Sequence, residues 1–239
     1  MMNDPAISNH LRRPVLISFS GLDGAGKTTQ ITNLRELIAR HGLRDQLITF
    51  WDDVVVGTRY REGFVHKMYG SEKGIGAPDK PVNRKDKNVR KWYLTIARHA
   101  LYLLDAIHLR FVIGRAEMSD SDVIIMDRYI FDELANLPIG NPLSNVFIRV
   151  VQFIVPKPDI AFLLDADPEA ARARKPEYPV DFMHKCRRAY FKLSRLMGLF
   201  TIIPPLPLTD AKREVELAFQ RLINRSAHTE PQLEGAPAA

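Results

Sequence analysis

Short, wholly apolar runs alternate along the chain with longer segments in which apolar residues recur every three or four positions. Residues 14–20 (PVLISFS), 46–51 (QLITFW), 123–126 (VIIM), 159–164 (DIAFLL) and 200–203 (FTII) are too short for buried helices and rich in β-branched and aromatic residues, so they predict buried strands. Between them, Ile31, Leu34, Leu37 and Ile38 predict a helix over 28–41, with Gly42 as its stop. A long helix is expected over 89–116, with Tyr93, Ile96, Ala100, Leu104, Ile107 and Phe111 on one stripe. Its second half, LYLLDAIHLRFVIG, is apolar on most faces and is expected to lie against the sheet in the interior. Residues 142–155 carry another helix. Phe182, Cys186, Tyr190, Leu193 and Met197 mark one more, and a closing helix covers 210–224.

Strands that are apolar on both faces and separated by helices predict a parallel sheet covered on both sides. The expected fold is therefore α/β, with about five parallel strands sandwiched between helices. No internal repeat or composition break calls for a second domain. A flexible N-terminus (1–13), one domain (14–225) and a disordered Pro/Ala tail (226–239) are expected. The stretch 57–88, containing GSEKGIGAPDKP, reads as an irregular loop or mobile element.

Composition narrows the class. With 239 residues, 46% hydrophobic and 26% charged, the chain can bury a sizeable core, which excludes disorder, collagen and coiled coil. The single Cys186 cannot form an internal disulfide, and its place on an apolar helical stripe suits packing better than nucleophilic chemistry. The opening MMNDPAISNHLRRP has no signal-peptide core and no run is long enough to span a bilayer, so a cytoplasmic protein without membrane association is expected. The seven histidines show no paired ligand spacing, which argues against structural zinc. The formal charge of +6 is localised: eleven basic and four acidic residues lie between Gly57 and Arg98, a local excess of seven. Such a region concentrates anionic ligands, or is simply a solvated face. Without aromatic interleaving beyond Trp92-Tyr93, nucleic acid is not the favoured partner.

The chemistry-bearing signal is Gly21-Leu22-Asp23-Gly24-Ala25-Gly26-Lys27-Thr28, a full match to G-x-x-x-x-G-K-[ST] between a predicted strand and a predicted helix. In this context glycines let backbone N–H groups turn inward, and the helix N-terminus adds partial positive charge. Gly21, Asp23, Gly24, Ala25, Gly26, Lys27, Thr28 and Thr29 are the expected nucleotide cradle, with Lys27 on the β- and γ-phosphates and the Thr28 hydroxyl on Mg²⁺. Asp127, delivered by the VIIM strand to the crevice, is the second expected metal-side group, with a helix N-cap as its alternative. Arg128 beside it suits phosphate recognition.

ISFSGLDGAGKTTQ, VIIMDRYIFDELA and PDIAFLLDADPEAARAR, in this order over about 190 residues, resemble the thymidylate kinase family of P-loop nucleoside monophosphate kinases. The resemblance implies a P-loop NTPase fold and ATP- and Mg²⁺-dependent phosphoryl transfer to a nucleoside monophosphate, dTMP or a related pyrimidine deoxynucleotide. It places Arg128 on the acceptor phosphate and Asp23 near the acceptor sugar hydroxyl. A lid over about 168–181 would carry Arg172, Arg174 and Lys175 onto the donor phosphates, and a homodimer is a further implication. Some family members carry a catalytic arginine inside the phosphate loop; here that position is Gly24, so the lid is expected to supply it.

The sequence also departs from the family. Phe50-Trp51-Asp52-Asp53-Val54 stands where a Thr-Arg-Glu-Pro-Gly-Gly type segment is usual, and Asp105-Ala106-Ile107-His108 is the nearest approach to Asp-Arg-x-Gln-His. Two alternatives stay open: a deoxynucleoside kinase using Asp52 or Asp53 as base, and a nucleotide-binding regulatory protein with weak or no kinase activity.

Overall fold

The computed structural model describes residues 13–56 and 92–228, and all that follows concerns these. Strand β1 (Val15–Gly21) leads through a glycine-rich loop into helix α1 (Lys27–Arg40), followed by β2 (Asp45–Thr49) and a single π-helical turn (Phe50–Val54). Helix α2 (Trp92–Glu117), β3 (Val123–Asp127), the short α3 (Ile130–Leu134) and α4 (Pro142–Ile154) come next. Then β4 (Ile160–Leu164), α5 (Pro168–Arg174), α6 (Val180–Met197), β5 (Phe200–Ile203) and α7 (Leu208–His228) complete the fold.

The five strands form one sheet in the order β2-β3-β1-β4-β5, every neighbouring pair parallel. The central strands β1, β3 and β4 lie between two apolar layers, which is why they are nearly continuous hydrophobic runs. On one side Ile17, Phe19, Ile125 and Phe162 pack with Leu34 and Ile38 of α1 and Phe219 of α7. On the other, Leu16, Ile124, Met126 and Leu163 pack with Leu109 and Ile113 of α2, Phe131 of α3, Ile148 of α4 and Leu193 of α6. Local chemistry sets the ends of the helices. Asn141 accepts from the Leu143 N–H (2.9 Å) ahead of Pro142, Asp167 accepts from the Ala170 N–H (3.0 Å) ahead of Pro168, and Gly198 takes a left-handed turn after α6 (φ 66°).

Several expectations shift. The second strand stops at Thr49, because the Asp53 carboxylate accepts the Thr49 N–H (2.7 Å) and closes the π turn, so Phe50 and Trp51 leave the sheet. The stripe expected to pack on α2 is largely the outer one: Ile96, Leu104 and Phe111 are exposed, while Tyr102, Ala106, Leu109, Ile113 and Ala116 face the core. Only one face of α2 is interior. The closing helix continues to His228, through residues assigned to the tail. Arg13, assigned to a flexible terminus, ion-pairs with Asp159 (2.6 Å). The expected loop 57–88, the start of the long helix at 89–91 and the remaining terminal segments lie outside the described residues.

Candidate active site

The glycine-rich loop 21–26 leaves the C-terminal end of the central strand β1. Gly21, Gly24 and Gly26 adopt φ values of 141°, 80° and 89°, a backbone path that L side chains rarely follow. A Cβ at Gly21 would lie 2.4 Å from the Leu164 carbonyl oxygen of β4. The glycine there is thus dictated by strand packing as well as by the turn. Gly26 is the N-cap of α1, so the loop ends where the first helical N–H groups are unsatisfied.

Lys27 is almost fully buried, and its Nζ donates to the carbonyls of Gly21 (2.9 Å) and Leu22 (2.7 Å). Burial, followed by the neighbouring Arg128, pushes its pKa down to about 8, against the pull of Asp23, Asp132 and Asp127. Thr28 and Thr29 open α1 and are exposed. Asp127 ends β3, in register with Phe19 of β1, and is partly buried. Burial raises its pKa, opposed by Lys27 and Arg128. It does not cap a helix; that place at the start of α3 belongs to Tyr129.

Arg128 has a left-handed backbone (φ 68°), unique among the described non-glycine residues. Its N–H donates to the Phe19 carbonyl (3.0 Å), which turns the chain back over the end of β1. The guanidinium reaches across the cleft: Nη2 bonds the Asp23 carboxylate of the glycine-rich loop, and Nη1 bonds Asp132 (3.1 Å). Burial opposes its charge, but Asp132, Asp23, Tyr190 and Asp127 together fix it as a cation. Asp23 is correspondingly acidic: burial would raise it, and Arg128, Lys27 and Lys175 outweigh burial. The structure thus brings Arg128 into contact with the loop and Asp127 close enough to act on Lys27.

Asp132 had no role assigned from sequence. It lies one helical turn after Arg128, the only signal that could have marked it, and its carboxylate is buried. Ser20 Oγ (2.7 Å) and the Tyr129 N–H (3.2 Å) donate to Oδ2, while Arg128 Nη1 (3.1 Å) and the Tyr190 hydroxyl (2.7 Å) donate to Oδ1. Tyr190 is held far above its ordinary pKa, first by burial and then by Asp132.

The lid candidate begins with α5, whose Ala171 is fully buried and packs with Ala166, Met183 and Ala25 of the glycine-rich loop. The Ala171 carbonyl oxygen sits so close that a Cβ at Gly24 would lie 2.3 Å from it. Arg172 is half-buried, with its Nε lacking a hydrogen-bond partner, and Arg174 is exposed. Lys175 acts electrostatically on Asp23. Glu169 and His184 (2.9 Å) tie α5 to α6.

The residues of the two departures have structural duties. Asp105 is fully buried and accepts the Val56 N–H (2.9 Å), and His108 Nδ1 lies 2.6 Å from the Val54 carbonyl oxygen. Both fasten the chain after the π turn to α2. Asp53 is engaged with Thr49, whereas Asp52 is exposed. Trp51 sits edge-on to Phe50 and is 38% exposed. The described residues contain no cluster of three or more His, Cys, Asp or Glu suited to a metal ion, and no helix among them is long and apolar enough to cross a membrane.

No protein-family model matches the chain. Curated relatives do. A probable thymidylate kinase of Archaeoglobus fulgidus is 23% identical over 217 residues, covering 88% of this chain and 97% of the relative. A probable thymidylate kinase of Sulfurisphaera tokodaii is 29% identical over 190 residues, covering 76% and 83%. Among solved structures, thymidylate kinase from Candida albicans superposes with a TM-score of 0.57 at 17% identity, covering 90% of this chain and 94% of that one. Thymidylate kinase from Ehrlichia chaffeensis gives 0.54 at 17% identity, covering 87% and 98%. These structural likenesses identify the fold as that of the P-loop NTPases. With Asp127 and Arg128 at the end of β3 beside a glycine-rich loop on that fold, the chain is similar to thymidylate kinases over most of its length.

Proposed function

We propose that the protein transfers the γ-phosphoryl group of ATP to a nucleoside monophosphate, with dTMP or a related pyrimidine deoxynucleotide as acceptor. The observation that carries this reading is the pairing of Arg128 with Asp23. One cation is bonded directly to a carboxylate of the glycine-rich loop, a contact that an anionic second substrate could replace.

The glycine-rich loop and the N-terminus of α1 would suit the donor's β- and γ-phosphates. Lys27, now folded onto two loop carbonyls, is the residue to swing onto those phosphates. Arg128 would take the acceptor's phosphate, and Asp23, released from the guanidinium, the acceptor sugar. A phosphoryl group in transfer spreads charge over three oxygens, so positioning and cations dominate the chemistry. The buried Nε–H of Arg172, which lacks an acceptor, is what a donor-phosphate ligand would leave before substrate arrives. Arg172 and Arg174 are the proposed transition-state cations. A loop arginine is not available: Gly24 has no room for a side chain beneath Ala171.

For Mg²⁺, one hydroxyl (Thr28) and one carboxylate (Asp127) beside the loop match a cation that takes most of its ligands from water and phosphate oxygens, so no larger acidic cluster is needed. When bound, the ion neutralises charge on the transferring phosphates.

ADP release measured with ATP, Mg²⁺ and a panel of nucleosides and monophosphates tests the reading. Turnover with pyrimidine deoxynucleoside monophosphates and none with nucleosides is expected. Phosphorylation of nucleosides alone would transfer the assignment to Asp52 as base, and silence across the panel would leave a nucleotide-binding regulator.

A further inference from the structure

We propose that Asp132 is the positioning residue that locks the Arg128 guanidinium into the phosphate cleft, a role that deepens the reading above and rests on it for the identity of what Arg128 binds.

An arginine side chain has many rotamers, and a binding site needs one of them. Here the backbone of Arg128 is already committed to a left-handed conformation that a non-glycine residue adopts only when its surroundings impose it. Those surroundings converge on Asp132. Its carboxylate meets four donors, two on each oxygen, and these come from three separate parts of the fold. Ser20 is the last β1 residue before Gly21 and so anchors Asp132 to the root of the phosphate loop. The Tyr129 N–H ties it to the residue after Arg128. The Tyr190 hydroxyl ties it to α6, the helix whose Met183 packs under the lid.

The two acids on Arg128 are not equivalent. Asp23 is partly exposed, belongs to the loop and is held by its hydrogen bond to Arg128 and a looser ion pair with Lys27 (4.0 Å), so it can exchange for a ligand. Asp132, with a side chain only 2% exposed, is saturated. When an anion takes the place of Asp23 on one Nη, Asp132 still holds the other. A carboxylate serves here because all four partners donate. An amide at this position would turn an N–H₂ group either toward the guanidinium or toward the Tyr129 N–H.

Asp132→Asn and Tyr190→Phe provide the test, read in two ways on the full chain. The first needs no substrate: ¹⁵N NMR of the Arg128 side chain, assigned by its loss in Arg128→Lys. In the parent protein slow rotation about the Nε–Cζ bond and slowed Nη proton exchange are expected. Asp132→Asn should restore fast rotation, and Tyr190→Phe should produce a smaller change in the same direction. The second is kinetic. Asp132→Asn should raise the KM for dTMP about 10-fold and Tyr190→Phe about 3-fold, with the KM for ATP moving less than about 2-fold, as loss of a charge-assisted contact on one substrate's side predicts.

Unchanged guanidinium dynamics in the variants would overturn the proposal, as would equal increases in both KM values, the mark of a merely structural role. If Asp132→Asn does not fold, Tyr190→Phe decides by the same two readouts. A parent protein inert toward every monophosphate but with a slowed Arg128 that Asp132→Asn releases would refute the acceptor assignment and support the lock.

Discussion

Lys27 shows how burial works against a charged side chain. Both loop carbonyls that hold it are neutral and the Asp23 carboxylate stands 4.0 Å away, so its charge is only partly compensated, and its pKa of about 8 lies well below the ordinary 10.5. The linkage has a definite sign. The folded state disfavours the protonated amine, so the penalty is fully present below about pH 8. Between about 8 and 10.5 the unfolded chain binds more protons, and stability rises with pH by a total on the order of 3 kcal/mol from this group. Lys27→Met should remove that rise, seen as parallel denaturant midpoints for the variant, and a rise unchanged in the variant would assign it to other groups. Polyphosphate reverses the balance: its binding above pH 8 should take up a proton at Lys27, visible as a buffer-dependent binding enthalpy. Lys27→Ala should lower kcat by at least about 10²–10³-fold while leaving the far-ultraviolet circular dichroism intact. Normal turnover in that variant would remove the phosphate-loop assignment.

At the level of elements, the close approach of α5 to the glycine-rich loop is the feature with the sharpest consequence. Gly24→Ala combines a φ of 80° with a Cβ placed 2.3 Å from the Ala171 carbonyl oxygen, so α5 must move or the variant must strain. A loss of about 1–3 kcal/mol is expected, together with faster proteolysis between α5 and α6. Introducing an arginine at 24 into an Arg172→Ala background should not restore turnover, because the loop cannot carry it beneath the lid. Rescue would show that α5 lifts freely.

The same scale explains what was legible beforehand. Strands β1, β3 and β4 were readable because burial on both faces leaves an unbroken apolar run, and the loop was readable because its backbone demands glycine. The packed face of α2 was not: apolar residues occupy both its core and outer sides, so periodicity selected Ile96, Leu104 and Phe111, which are exposed, over Tyr102, Leu109 and Ile113. The end of β2 was hidden because a carboxylate four residues on, Asp53, terminates it. Asp132 was hidden for a related reason. Its partners Ser20 and Tyr190 are 112 and 58 residues away, and only the folded sheet brings them together.

For the molecule as a whole, strand order decides why three distant segments form one site. In the order β2-β3-β1-β4-β5, the loop-bearing β1 lies between β3, which delivers Asp127 and Arg128, and β4, which leads into α5. All strands are parallel, so every one of these segments emerges at the same carboxyl edge. On the function proposed above, a ligand filling that edge would touch the loop, Arg128 and α5 at once and would bind the folded state alone. Linkage then predicts the size of the effect. A non-hydrolysable ATP analogue with Mg²⁺ at 100 times its Kd should stabilise the fold by about 2.7 kcal/mol, a rise in Tm of roughly 5–10 °C for a chain of this size. If donor and acceptor share the crevice, adding dTMP should raise Tm further. Lys27→Ala should lose most of the analogue's shift and keep that of dTMP, whereas Arg128→Lys should do the reverse. A single variant that abolished both shifts without lowering the unliganded Tm would indicate one binding site, and the two-substrate cleft would have to be abandoned.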